Sequence, residues 1–349
     1  MEKICVYGAG NWGSTAARII AENTIRYDKF YNVVNMYVHK EIYNGRELTD
    51  IINTDKENTK YLPGFKFPDN VFATSDIQFA LKDVTMLVVV IPHQFLVSAM
   101  KEVSQYADLS KLKVVSLIKG MYIGKEDIKT TTQTIESVLN LKPSVLSGAN
   151  LANEIANREI CESTLGCMDS AEAELWIKAF QTDYFRIMHV KNVYAIELCG
   201  ALKNVVAVAV GMAAGLGYGN NTKAAIMRIG FMEILKFAQL LYPSTAESIL
   251  FESCGIPDLI TSCLGGRNYK VSVEFVKTGK SIDVLEAEML NGQKLQGPLT
   301  SLEVNEYLSN INKTADFPLF TAVYEIVYQN KDAKPLLESL FKVSRQSIL

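Results

Sequence analysis

The chain is poor in the residues that build metal or disulfide frameworks. It has three histidines, His39, His93 and His189, too few for a histidine-rich site, so no metal is expected. Its six cysteines, Cys5, Cys161, Cys167, Cys199, Cys254 and Cys263, form no C-x-x-C pair and sit mostly among apolar residues. That pattern reads as reduced core thiols in a cytosolic protein, not as disulfides or zinc ligands. Prolines number nine in 349 residues, and no Pro-rich linker, repeat or low-complexity tract interrupts the chain. Neither sign of charge dominates: 35 Lys and Arg face 38 Asp and Glu, a net charge of -3. No global basic field is available to recruit nucleic acid or an anionic membrane, so neither is expected as a partner. The longest apolar run, residues 205–216, falls short of the ~20 residues of a membrane span. A first strand from about Lys3 leaves no expected signal or transit peptide. The terminal Ser347-Ile348-Leu349 matches a peroxisomal S-K-L address only loosely.

What is present is ordinary globular material, 48% hydrophobic and 21% charged, long enough for about two domains. Strands are expected at 3–7, 33–38, 86–91, 114–118 and 144–147, several of them near-continuous apolar runs of the kind that parallel strands covered on both faces show. Amphipathic stretches at 12–23, 95–105 and 130–141 alternate with them, and strands at 162–166 and 185–189 flank a helix at 171–180. Beyond 191 the pattern is helix after helix: 193–211, 220–242, 246–251, 282–290, 299–308 and 319–328. The expected fold is α/β, a doubly wound Rossmann-type domain over 1–191 followed by an all-α domain over 192–349.

Gly8-Ala9-Gly10-Asn11-Trp12-Gly13 follows the first strand and opens the first helix, the setting in which G-x-G-x-x-G has a mechanism. Gly8 allows the tight turn, Gly10 lets the backbone approach a pyrophosphate, and Gly13 lets helix and strand pack closely. The helix start then offers N–H groups and a positive dipole end to phosphates. After the second strand the usual ribose-binding acid is missing, since His39 and Lys40 precede Glu41. These residues leave NAD and NADP both open, with Lys40 read as a solvated surface charge. Pro92 stops the third strand, His93 reads as a helix-entry residue, and Phe95 is placed to flank a cofactor.

The stretch 197–217 sets Lys203 and Asn204 in an apolar, small-residue helix. A lysine there must leave water, which is unfavourable without partners and moves its proton affinity toward acid–base use. Hydride transfer to a carbonyl leaves negative charge on oxygen, and Lys203 is the expected proton donor. Lys119 nearby would lower its proton affinity, and Asp258 would oppose that while fixing its position. Arg267, after Gly265-Gly266, is suited to a bidentate phosphate contact, with Asn268 adding a neutral donor. Blander readings weigh against each: Lys119 as a solvated charge, Asp258 as a helix N-cap, Arg267 as a surface arginine in a glycine-rich loop.

In these motifs the chain resembles the NAD-dependent glycerol-3-phosphate dehydrogenases of the eukaryotic cytosolic type. The carriers are GAGNWGS, INT followed by KYLPG, PHQF, SLIKG, ELCGALKNVVAV, GNNTKAAIMRIG, ESCGIPDLIT, GGRN and LNGQKLQGP, and they span almost the whole chain. The resemblance implies a cytoplasmic homodimer that reduces dihydroxyacetone phosphate to sn-glycerol 3-phosphate with NADH. It implies Lys203 as general acid/base, and Lys119, Asn150, Asn204, Asp258 and Thr261 around the substrate's polar head. It gives Arg267 and Asn268 to the phosphate, and Gly8, Gly10, Asn11, Trp12, Gly13, Phe95, Lys119, Ala152 and Arg267 to the cofactor side. Lys294 and Gln296 would come from a loop that closes over cofactor or substrate. His39-Lys40 and Ser262 depart from the family pattern, the latter replacing a second threonine and keeping its hydroxyl. Hydroxyacid and phosphogluconate dehydrogenases also place a lysine on a long helix, and Arg267-Asn268 favours a compact phosphate over a bare carboxylate. A nucleotide sensor without turnover would need the glycine loop but not Lys119, Lys203 and Asp258 together.

Overall fold

The computed structural model describes residues 1–123, 128–290 and 292–342; Ser347-Ile348-Leu349 lies outside them. The chain forms two compact units, Met1–Lys119 with Thr130–Ile196, and Gly120–Lys129 with Glu197–Leu349.

The first unit is built on an eight-stranded sheet. Its strands are β1 (Glu2–Tyr7), β2 (Phe30–Tyr37), β3 (Val71–Thr74), β4 (Met86–Val89), β5 (Lys113–Ser116), β6 (Ser144–Ser147), β7 (Cys161–Gly166) and β8 (Phe185–Val190). In space they run β8-β7-β6-β5-β4-β1-β2-β3. β3 was not anticipated: it has four residues, lies at the sheet edge and exposes Phe72, so its apolar run is too short to read. The sheet is not wholly parallel, because β6 and β7 pair antiparallel. They are joined through a five-residue helix, Ala152–Ala156, about 7 Å long and too short to carry the chain back along the sheet.

Helices α1 (Asn11–Arg26), α2 (Leu96–Tyr106) and α3 (Ser170–Phe180) cover the sheet. One buried cluster joins Ile4, Val6, Ile20, Val88 and Trp176, and another, made of Cys5, Tyr7, Leu87, Val89, Met100 and Val103, lies on the opposite face. Alternate residues of β1 thus enter opposite cores, which is why that strand reads as continuously apolar. The expected strands at 86–91 and 114–118 end earlier, at Val89 and Ser116. Pro92 and Lys119 therefore sit in the loops beyond the strand ends.

The second unit is mainly helical: α4 (Val193–Gly215, which begins in the first unit), α5 (Asn220–Leu241), α6 (Ile256–Gly265), α7 (Arg267–Thr278), α8 (Ile282–Leu290), α9 (Gln296–Asn310) and α10 (Pro318–Tyr328). The helix α4 corrects one expectation. Its 23 residues are long and apolar enough to cross a membrane, although the unbroken apolar run within it is shorter. In its most apolar window 89% is buried within the protein, as a core helix requires. Gly211 lets it approach α7: a Cβ there would meet the Tyr269 carbonyl oxygen at 2.4 Å.

Candidate active site

In the first unit the glycine turn connects β1 to α1. Gly8 has φ +128°, and a Cβ on it would stand 2.2 Å from the Val90 carbonyl oxygen. A Cβ on Gly13 would lie 2.1 Å from the Gly8 oxygen, so α1 is seated directly on the turn. Gly10 faces open space, with nothing within 4 Å of a Cβ position, and it is the N-cap of α1 with no side chain capping the helix. The first N–H groups of α1 are thereby left for a ligand. Asn58 fixes the turn by donating to the Ala9 oxygen (2.8 Å) and to Ser14 Oγ (2.9 Å). Asn11 donates to the Tyr61 carbonyl (2.7 Å) and to Asn153 Oδ1 (2.9 Å). Sequence reasoning gave no role to Asn58 or Tyr61, although Tyr61 lies within the KYLPG motif and Asn58 two residues before it.

A cleft of about 630 Å³ opens at this turn, lined by Gly8, Gly10, Tyr37, His39, Glu41 and Phe95 among others. Phe95 is 56% exposed and opens α2 through a single 3₁₀ turn begun by His93. Burial lowers the His93 imidazole's proton affinity. Lys40 is exposed, 3.9 Å from Glu47, while Glu41 is held by Lys60 and by the Tyr61 hydroxyl (3.1 Å). Together, the open Gly10 face, the uncapped helix start and the adjacent cleft fit a dinucleotide. Beyond the ends of β5 and β6, Lys119 donates to the Gly148 oxygen (2.7 Å). Asn150 is tied to β7 by Ser163 (2.9 Å) and the Glu162 carbonyl (3.2 Å). Ala152 opens its short helix and accepts from Thr15 Oγ1 (3.3 Å). Trp12 packs edge-on against Phe185, 6.2 Å between ring centres.

In the second unit the polar set converges on α4. Lys203 is 6% exposed and Asp258 2%. The Lys203 ammonium is ion-paired to Asp258 and donates to Ser262 Oγ (2.7 Å). Asp258 is not the N-cap of α6, which is Gly255; it lies in the first helical turn, where the helix dipole favours its charge. Asp258 and Ser262 are four residues apart, so one face of α6 presents both to the lysine. Ser262 was not assigned a role from sequence, and that spacing was the available signal. Cys263, on the same helix, has its thiol pushed up to about 12 by burial, with the Lys203 charge acting the other way.

Next to Lys203, Asn204 accepts from Asn268 Nδ2 (3.0 Å), and Asn268 in turn accepts from the Gly297 N–H (2.9 Å). Gly297 is required there, because a Cβ would stand 2.6 Å from the Asn204 carbonyl oxygen. Thr261 points its hydroxyl back to the Pro257 oxygen (2.9 Å) and does not join this network. Arg267 is exposed and donates to Gln293 Oε1 (2.8 Å); it opens α7 and is not part of a glycine-rich loop. Lys294 is paired with Asp283 (2.6 Å) and Glu286 (2.8 Å), which raise its proton affinity. Gln296 is the first residue of α9. Among the described residues no group of three or more His, Cys, Asp and Glu is arranged to hold a metal ion.

A largely parallel sheet carrying a glycine turn at its carboxyl edge defines the class: a dinucleotide-binding dehydrogenase fold. Comparison with known proteins narrows it. The family profile for the N-terminus of NAD-dependent glycerol-3-phosphate dehydrogenase matches residues 3–173, and that for its C-terminus matches 192–338. The glycerol-3-phosphate dehydrogenase 1-like protein of Xenopus tropicalis is 48% identical over 339 residues, 97% of this chain and 96% of its own length. The cytoplasmic NAD(+) glycerol-3-phosphate dehydrogenase of Mus musculus is 46% identical over 340 residues, 97% of each chain. The solved Plasmodium falciparum glycerol-3-phosphate dehydrogenase superposes with a TM-score of 0.94 at 37% identity, covering 98% of this chain and 96% of that one. The chain belongs to the NAD-dependent glycerol-3-phosphate dehydrogenase family. It is accordingly an oxidoreductase with NAD as cofactor.

Proposed function

We propose that the chain reversibly reduces dihydroxyacetone phosphate to sn-glycerol 3-phosphate, with Lys203 as general acid/base. The observation that carries this reading is the buried Lys203 ammonium, with Asp258 and Ser262 as its polar partners. NADH, when bound, supplies the hydride. Lys203 gives a proton to the oxygen that becomes the C2 hydroxyl, and takes one back in the reverse direction. Asp258 keeps the amine charged and aimed, and Ser262 fixes its remaining freedom. In this reading Lys119, Asn150 and Asn204 are assigned to the substrate's polar head, with Ser262 in the place the resemblance gave to Thr261, and Arg267 with Asn268 takes the phosphate. Gly8, Gly10, Asn11, Trp12, Gly13, Phe95 and Ala152 hold the cofactor. Lys294, in the loop that precedes α9, and Gln296, the first residue of that helix, act on cofactor or substrate in this reading.

The functional division is 1–191 for the dinucleotide and 192–349 for the substrate. The cytoplasm is the proposed compartment, in line with the name of the mouse relative. A homodimer is the proposed assembly. Purified protein given NADH and dihydroxyacetone phosphate is expected to consume NADH. NADPH in its place reads the contribution of Lys40, and a solvated Lys40 leaves NADH preferred. Turnover of a 3-hydroxy acid with none of dihydroxyacetone phosphate overturns the substrate assignment. Tight NADH binding with no turnover on any substrate makes the chain a sensor and overturns the enzyme reading.

A further inference from the structure

Tyr7 and Tyr37 end neighbouring strands and are paired in register. Their rings stack with centres 4.5 Å apart at 27°. The Tyr7 hydroxyl donates to Glu102 Oε2 (3.3 Å), on α2. All three residues line the cleft that begins at the glycine turn, with Phe95, Ser98 and Ala99 completing that wall. Tyr7 is only 4% exposed, so its hydroxyl sits where an apolar side chain would cost less unless it has a partner to hold. Burial, then Tyr37 and Glu102, push its phenol up, so it remains a donor. That single bond is all Glu102 accepts among the described residues, which leaves carboxylate lone pairs for a ligand.

In a cleft of this kind the pyrophosphate takes the helix start and the ribose the end of the second strand. The base then falls beyond β2, toward the stretch from Phe95 to Glu102. We infer that Glu102, oriented by Tyr7, determines the purine specificity of the cofactor by accepting the exocyclic amine of adenine. A 6-oxo purine presents an acceptor at that position and is disfavoured beside a carboxylate. The inference rests on this cleft being the NAD site.

The test is calorimetric binding of NAD and of nicotinamide hypoxanthine dinucleotide to the full chain. Wild type is expected to bind NAD about tenfold more tightly, the worth of one hydrogen bond to a charged group. Glu102→Gln, whose amide can also donate to a 6-oxo group, removes the preference. Tyr7→Phe weakens NAD more than the analogue. Equal wild-type affinities to within about twofold, or a preference that survives Glu102→Gln, overturn the proposal. Gly10→Trp fills the open face of the turn and should abolish binding of both dinucleotides. Binding that survives Gly10→Trp in folded protein puts the cofactor elsewhere and overturns the underlying reading of the cleft as well.

Discussion

Lys203 and Asp258 are each too buried to lose the other without consequence. Removing one partner of a buried pair leaves an uncompensated charge and costs about 3–5 kcal/mol. Asp258→Ala should therefore destabilise strongly in a denaturant titration. Lys203→Met should do so as well, because it strands the Asp258 carboxylate. The double variant Lys203→Met with Asp258→Asn carries no stranded charge, and most of the lost stability should return while turnover stays absent. If the double variant were no more stable than either single one, the pairing would not hold the site together. Ser262→Ala removes a hydrogen bond to a charged group, and kcat should fall by roughly tenfold with smaller change in KM. Lys203 was legible in the sequence because an ionised group in an apolar helix needs an explanation. Thr261 was legible as a polar residue, but its helical phase turns it to its own backbone, and Ser262 takes the place beside the amine.

Elements were legible where periodicity was long. The expected helix at 220–242 is found as Asn220–Leu241. The adjoining helices α6 and α7 were given no spans from sequence: Asp258 read only as a possible helix N-cap, and the Gly265-Gly266 pair as a glycine-rich loop. In the fold Pro257 occupies the first turn, where its missing N–H costs nothing, and Gly266 is both the end of α6 and the N-cap of α7. A Cβ on Gly266 would lie 2.8 Å from the Ser262 oxygen, so the sharp break between these helices needs a glycine. A second element-scale device is Glu233 on α5. It is buried and accepts from the N–H groups of Leu319 (2.7 Å) and Phe320 (3.1 Å), capping α10 from outside. Burial pushes its carboxyl up to about 8 against these bonds and Lys236. The unfolded chain gives up this proton near 4.5, before the folded one does. Stability from Glu233 is therefore full at low pH and lost as pH rises from about 4.5 toward 8. Glu233→Gln should flatten the decline in Tm across that window, and an unchanged slope would assign the decline to other groups.

For the molecule as a whole, the α/β start and helical finish were readable from where β-branched runs stop and 3.6-residue periodicity takes over. The sheet's edge strand and its antiparallel β6–β7 turn were not, since both depend on segments of four or five residues. The helix α4 shows why apolar length alone is a poor guide: it meets the size of a membrane span and serves as the core of the helical unit. Light scattering on the purified chain is expected to give twice the chain mass, and a monomer at working concentration would overturn the proposed homodimer. The most direct test of the account is single-turnover NADH oxidation by Lys203→Met, with saturating dihydroxyacetone phosphate and NADH binding measured in parallel. The predicted result is a rate at least about 100-fold below wild type with the NADH Kd little changed, as expected for loss of a general acid. A rate within about tenfold of wild type would contradict it, since Lys203 would not then be the proton donor.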